Sequence, residues 1–265
     1  MVHFTDGEFD RLVSYVETRY GIDLRKKRTL AECRLGLEMA KQGIDTLSAF
    51  LDGIGADRTD RLEAALMNRL TTNYTFFMRE DSHFTFLTDQ ILPEVSGGAD
   101  CFRAWSAGCA SGEEAYTLAM TLLDAAQRQP LPRCEILATD ISEAALEKAK
   151  AAKYPIRALE RLPERWRQSY CRQEGEMFYL REQVKRLVTF QKMNLMTPCA
   201  GQERYDLILC RNVMIYFGEG ARRRLAERLY ASLKHGGYLF VGHTELLTRD
   251  EQRFAYICPA IYRKA

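Results

Sequence analysis

The feature that most constrains this 265-residue sequence is a change of periodicity near residue 100. Before it, apolar residues recur every three or four positions, the spacing of amphipathic helices. After it, short apolar runs alternate with helical stretches. Phe102–Ala107 precedes a helix over Glu113–Gln127, Glu135–Thr139 one over Ser142–Lys153, and Tyr205–Cys210 one over Gly220–Leu233, with a strand at Tyr238–Gly242 behind the Gly236-Gly237 turn. Such alternation predicts an α/β fold, a largely parallel sheet with helices on both faces. Residues 154–200 interrupt it. A helix over Pro163–Arg172 leads to two strand-like runs, Met177–Arg181 and Leu187–Met193, which read as a hairpin joined through Glu182–Arg186, a small antiparallel insertion. The last run, Phe254–Arg263, contains Pro259 and is expected near a sheet edge.

The N-terminal seventy residues read as a small helical domain. Phe9, Leu12, Val13 and Val16 mark a first helix, with Thr5 and Glu8 at capping-box spacing and Gly21 as its stop. A second is expected over about 25–41, with Leu30, Cys33, Leu37 and Ala40 inward, followed by helices near 46–52 and 57–71. A further helix over 80–91 is closed by Pro93. The expected division is a helical domain over 1–72, a linker and helix over 73–98, and an α/β domain over 99–265 with its β-subdomain at about 173–193. At least one of Phe76, Phe77 and Met78 is expected to pack between the domains.

Composition excludes several classes. Lys and Arg number 38 against 36 Asp and Glu, too balanced for non-specific coating of nucleic acid. No apolar run is long enough to span a bilayer, and the start carries acids where a secretory signal would carry a basic and then an apolar stretch. The eight cysteines show no zinc-type pairing and read as reduced thiols of a cytoplasmic protein.

Three strand ends carry chemistry. Ala107-Gly108-Cys109-Ala110-Ser111-Gly112 turns a strand into a helix beginning with Glu113 and Glu114. Glycines there allow close backbone approach to a ligand, but the GxxxG spacing is neither the dinucleotide fingerprint nor a P-loop. Two acids would repel a pyrophosphate and attract an ammonium or a sulfonium; the alternative is that they merely complement the helix dipole. Asp140 ends the second strand, where an acid accepts from ribose hydroxyls, or else caps the following helix. Arg211 and Asn212 end the third and need polar partners if buried. A nucleoside joined to a cationic amino acid, S-adenosylmethionine, meets these requirements. A fourth stretch, Thr72 to Glu80, interleaves polar groups with aromatics.

Taken together, these motifs resemble the CheR-type chemoreceptor glutamate methyltransferases over nearly the whole chain. The resemblance rests on Asn73-Tyr74-Thr75-Phe76-Phe77-Met78-Arg79-Glu80, on the glycine turn (with Ala115 where relatives often have Pro), on Ile136 to Asp140, on Asn194-Leu195, on Leu207 to Phe217 and on Val241 to Glu245. It implies a Rossmann-like class I S-adenosylmethionine-dependent methyltransferase domain behind the helical one. It implies cofactor contacts at Asn73, Thr75, Arg79, Glu113 or Glu114, Asp140, Asn194, Leu195, Arg211 and Asn212. The product would be S-adenosylhomocysteine, with no metal.

The implied reaction methylates receptor glutamates to γ-methyl esters. A carboxylate, with an ordinary pKa of about 4.3, needs no general base at neutral pH, so His3, His83, His235 and His243 are not required, and His83 and His243 read as structural. Arg79 and Tyr216 are the candidates for orienting the acceptor. Between Arg19 and Lys41 seven cations face three acids; the resemblance makes Arg25, Lys26, Lys27, Arg28 and Arg34 a docking surface for the acidic helical bundle of a receptor. The short Glu174-Gly175-Glu176 connection suggests an enzyme independent of a receptor C-terminal pentapeptide. A monomer is expected, neither binding nucleic acid nor inserting in a membrane. The rival functions are a non-catalytic S-adenosylmethionine sensor and a nucleic-acid methyltransferase.

Overall fold

The computed structural model describes residues 3–57, 59–95, 100–197, 203–247 and 253–265. Four helices open the chain: α1 (Asp6–Tyr20), α2 (Arg28–Gln42), α3 (Leu47–Ala56) and α4 (Arg61–Leu70). The capping box forms ahead of α1, with Glu8 accepting from the Thr5 N–H at 3.0 Å and Thr5 accepting from the Glu8 N–H at 3.3 Å. Helix α2 departs from expectation twice. It begins at Arg28, leaving Arg25 to Lys27 in the preceding turn, and its buried stripe is Ala31, Leu35 and Met39. Leu30, Cys33, Leu37 and Ala40 face solvent instead. Both stripes have helical spacing; the choice falls to packing, since Leu35 and Met39 join Leu12, Val16, Phe50 and Leu66 in one core.

After the polar linker come α5 (Ser82–Phe86), a π-helical turn (Leu87–Ile91) and α6 (Leu92–Val95). This helical stretch runs past Pro93 rather than ending before it. Pro93 has no N–H to give four residues back, and the widened turn lies directly ahead of it.

The α/β part then follows: β1 (Cys101–Ala107), α7 (Glu113–Ala126), β2 (Arg133–Asp140), α8 (Glu143–Ala151), β3 (Lys153–Pro155), a 3₁₀ turn (Ile156–Arg161) and α9 (Glu164–Tyr170). Next are β4 (Cys171–Glu174), β5 (Met177–Leu180), α10 (Glu182–Lys185) and β6 (Val188–Lys192). The chain ends with β7 (Tyr205–Cys210), a 3₁₀ turn (Met214–Tyr216), α11 (Glu219–Ser232), β8 (Leu233–Val241), β9 (Phe254–Cys258) and β10 (Ile261–Lys264). The main sheet has the order β6-β2-β1-β7-β8-β10-β9. Strands β6, β2, β1, β7 and β8 are parallel, while β10 runs antiparallel to both β8 and β9. The order leaves β1 toward β2 on one side and β7 on the other, so a crevice opens at their carboxyl ends.

Two strand expectations are corrected here. Leu187–Met193 does not pair with Met177–Arg181: β6 extends the main sheet beside β2, and the small sheet is β3-β5-β4. Helix α10 separates β5 from β6, where a hairpin would need a tight turn. The C-terminal run is two strands, and Pro259 sits in the turn between them. Phe77 packs on Tyr154 and Phe178 of the small sheet, at ring separations of 4.8 and 5.9 Å, rather than between the domains. The seven described cysteines are free thiols. No helix among the described residues is long and apolar enough to cross a membrane.

The corrected face of α2 gives a test. Leu35→Ala is expected to cost about 2–5 kcal/mol, and Leu37→Ala, at a side chain 62% exposed, no more than about 0.5 kcal/mol. Urea unfolding of the two variants reads the difference.

Candidate active site

The floor of the crevice is built from strand ends. Gly108, at φ 89°, and Gly112, at φ 93°, turn β1 into α7. A Cβ on Gly108 would lie 2.4 Å from Val213, and one on Gly112 2.8 Å from the Ala149 methyl, so the turn is closed to larger residues. Helix phase separates the two acids that follow. Glu114 lines the crevice and Glu113 does not; Glu113 turns back to the Ser111 hydroxyl at 2.7 Å. Glu114 accepts from Ser106 at 2.6 Å and lies 3.3 Å from the Arg211 guanidinium. Burial pushes the Glu114 carboxyl up, opposed by Arg211 and Ser106. Asp140 accepts from the Ala110 and Ser142 backbone N–H groups, each at 2.8 Å. It braces the loop, while Ser142 caps α8. Burial raises its pKa, against those two donors.

Arg211 ties the floor to the linker. Its side chain, 1% exposed, pairs with Glu80 at 3.1 Å as well as with Glu114, and donates to the Arg79 carbonyl. Glu80 stays below its ordinary pKa; burial raises it, but Arg211 and the His243 backbone N–H outweigh that. The next residue, Asn212, is left-handed at φ 58°, and its Oδ1 is buried without a partner. Met78, Glu80 and Ala110 share that rare conformation around the same crevice. Glu245 holds the loop: its carboxylate accepts backbone N–H groups from Asn212 at 2.6 Å, Gly242 at 2.7 Å and Ile215 at 3.1 Å. The sequence alone gives Glu245 no role, because nothing local marks three amides converging on one acid.

The opposite wall comes from the linker and the helical part. Asn73, Thr75 and Arg79 line it. Arg79 donates to the Tyr74 carbonyl at 2.9 Å, its guanidinium 5.9 and 5.6 Å from the Tyr74 and Phe76 ring centres. The turn after α1 docks on the turn after β7. Ile22 bridges Phe217, the Asp23 N–H donates to the Tyr216 carbonyl at 2.9 Å, and Gly218 donates to the Gly21 carbonyl at 3.1 Å. This brings Tyr20, Ile22, Leu24, Met67 and Leu70 into the lining, all missed by sequence reasoning, since a helical core position gives no sign of which neighbour completes it. Asn194 and Leu195 lie at the far side. The Asn194 amide accepts from the Met196 N–H and donates to the Arg19 carbonyl, leaving one N–H and one lone pair for a ligand.

The basic run is not one surface. Arg25 pairs with Asp23 and Glu17, Arg28 with Asp6 and Glu32, and Arg34 donates to the Arg69 and Thr71 carbonyls. Lys26 is exposed, whereas Lys27 is folded into the crevice with its ammonium 4.5 Å from the Tyr216 ring centre.

The crevice spans about 1000 Å³ of non-atom space, open solvent included. The residues fit S-adenosylmethionine: recessed carboxylates for cationic and hydroxyl groups, an orphaned amide oxygen at Asn212, and a glycine turn open to close approach. Beneath Arg211, Glu80, His83 and His243 bring ligand-type atoms within 4.8 Å of one another. Glu80 is already engaged by Arg211, and His83, stacked on Phe240 at 4.9 Å, is held neutral, its pKa pushed to about 3 by burial and by Arg211. The trio reads as packing under the site.

Comparisons with known proteins place these observations. Residues 7–71 match the family model described as "CheR methyltransferase, all-alpha domain", and residues 73–261 match "CheR methyltransferase, SAM binding domain". The chain is 36% identical to a chemotaxis protein methyltransferase of Borreliella burgdorferi, the alignment covering 99% of this chain and 96% of that protein. It is 36% identical to one of Vibrio parahaemolyticus, covering 97% and 95%. A solved S-adenosylmethionine-dependent methyltransferase from Mesorhizobium loti overlaps 58% of this chain and 50% of its own at 20% identity, with a TM-score of 0.33.

Glu245→Ala strands three backbone donors and is expected to destabilise the chain by about 3 kcal/mol. Denaturant unfolding measures it; a loss under about 1 kcal/mol would mean the loop holds without that carboxylate.

Proposed function

Because the chain belongs to the CheR methyltransferase family and is an S-adenosylmethionine-dependent methyltransferase, we propose that it methylates glutamate side chains of methyl-accepting chemotaxis receptors, yielding γ-glutamyl methyl esters and S-adenosylhomocysteine. The observation that carries this reading is the distribution of charge in the crevice. Carboxylates Glu114, paired with Arg211, and Asp140 lie at the strand-end floor, and cations Arg79 and Lys27 line the wall opposite. That pattern suits a cationic donor below and an anionic acceptor above.

The cofactor, when bound, supplies an electrophilic methyl group on a sulfonium. Glu114 rather than Glu113 would hold its ammonium, and Asp140 its ribose hydroxyls. The free N–H and lone pair of Asn194 would read the adenine edge, with Leu195 against the ring. Asn73, Thr75 and Asn212 would complete the polar lining, and Arg211 would keep Glu114 oriented. The acceptor is anionic at neutral pH, so the protein's work is to orient it, through Arg79 and Tyr216, and to remove its water; ideal alignment of this kind is worth up to about 7–11 kcal/mol.

The acceptor would belong to the helical bundle of a receptor's cytoplasmic part, met by the helical domain, residues 1–72, through Lys26 and the rims of Arg25, Arg28 and Arg34. The linker over 73–98 and the α/β domain over 99–265 would carry the chemistry in a monomeric, cytoplasmic enzyme. The β4–β5 connection is a single tight turn at Gly175, φ 57°, which supports independence from a C-terminal pentapeptide.

Incubation with methyl-labelled S-adenosylmethionine and a receptor cytoplasmic fragment tests the reading. The label is expected in the receptor and released by mild alkali; alkali-stable label would contradict a carboxyl ester. Arg79→Ala is expected to lower kcat/KM about 100-fold while shifting cofactor affinity less than about 5-fold, as steady-state kinetics and calorimetry together report. Because burial raises the Glu114 pKa, affinity for S-adenosylmethionine should start to fall on acidification at a pH above the ordinary carboxylate range. Glu114→Gln should bind about 10–100-fold more weakly at neutral pH, with calorimetry between pH 5 and 8 showing that limb flattened.

A further inference from the structure

We infer that Lys27 anchors the acceptor carboxylate inside the crevice, so that the helical domain supplies a substrate-binding group to the reaction itself. This rests on the proposed methylation of glutamate and goes beyond it, since the sequence alone groups Lys27 with a docking surface.

Apart from the exposed Lys26 and Lys41, the other cations of the run already have their partners. Arg25 and Arg28 each satisfy two carboxylates, and Arg34 is spent on backbone carbonyls. Lys27 alone among them is folded into the crevice, and among the described residues no carboxylate lies within ion-pair distance of its ammonium. It rests instead 4.5 Å from the centre of the Tyr216 ring. Burial lowers its pKa, with the more distant Asp23 opposing. A half-buried ammonium held by one aromatic face lacks the anion that would complete its environment.

The other acids of the crevice are committed elsewhere. Glu114 is held by Ser106 and Arg211, and Asp140 by two backbone N–H groups. The anion that reaches Lys27 must therefore come from outside, and the acceptor glutamate is such an anion. The position is also fixed. Lys27 closes a turn by donating its N–H to the Leu24 carbonyl at 2.8 Å, and the Ile22–Phe217 bridge locks that turn against the Tyr216 loop. A Cβ on Gly21 would meet Ala221 at 2.8 Å and Phe217 at 2.9 Å, so the approach of the two loops depends on that glycine. Arg79, by contrast, already gives one N–H to Tyr74 and borders two rings. The acceptor would thus meet two cations from different parts of the chain, Arg79 in the linker and Lys27 on the helical side, with Tyr216 beside Lys27.

The test uses the full chain, a receptor cytoplasmic fragment and S-adenosylhomocysteine. Lys27→Met keeps most of the length of the side chain and removes the charge. It is expected to lower kcat/KM for the receptor at least about 30-fold, with part of the loss in kcat at saturating receptor. The calorimetric Kd for S-adenosylhomocysteine should stay within about 2-fold, which also reports that the variant is folded. Lys27→Arg, which restores a cation, should recover most of the loss. Three results would overturn the inference: Lys27→Met within about 2-fold of wild type, a loss of S-adenosylhomocysteine affinity equal to the loss in kcat/KM, or Lys27→Arg no better than Lys27→Met. The second would reassign Lys27 to the carboxylate of the cofactor. Failure of the underlying reading looks different: the wild type itself would then give no alkali-labile label, and the inference would fall with it.

Discussion

Arg211 is the side chain on which the rest of this molecule turns. It emerges from the end of β7, is buried, and finds two carboxylates from different places: Glu80 from the linker and Glu114 from the first turn of α7. Removing one partner from a buried ionic group typically costs about 3–5 kcal/mol, so the three positions are bound to one another more tightly than sequence distance suggests. Through this pairing Glu114 is held at the crevice, and the linker is held over the strand ends. The left-handed Met78, Glu80 and Asn212 lie where the pairing draws the chain tight.

The second constraint is the short backbone seam between residues 21–23 and 216–218. Because it consists of main-chain hydrogen bonds and a single bridge, it depends on close approach more than on side-chain identity, and Gly21 makes that approach sterically possible. The seam turns a two-part chain into a molecule with one shared crevice. It also explains why the crevice lining draws on Tyr20, Met67 and Leu70 as well as on strand ends. The helical part is a wall of the site.

Much of this is legible in the sequence, and the failures have physical reasons. The α/β alternation, the glycine turn and the polar residues at strand ends follow from backbone geometry, which sequence pattern reports directly. The buried face of helix α2 does not, because Leu30-Cys33-Leu37-Ala40 and Ala31-Leu35-Met39 are both acceptable helical stripes; only the partners of Leu35 and Met39 decide. Strand β6 reads locally as half of a hairpin, yet α10 carries it to the edge of the main sheet. Glu113 and Glu114 are equivalent by pattern until the turn of the helix gives one to Ser111 and the other to Ser106. The basic run looks uniform because net charge says nothing about which cation a turn buries, and Lys27 is hidden among its neighbours for that reason.

The central claim is that both parts of the chain build one cofactor crevice. Hydrogen–deuterium exchange of the full chain, with and without S-adenosylhomocysteine, addresses it most directly. Slowed exchange is expected over 20–27 on the helical side together with 73–79, 108–114 and 210–217. Protection confined to the α/β residues, with 20–27 unchanged, would contradict it.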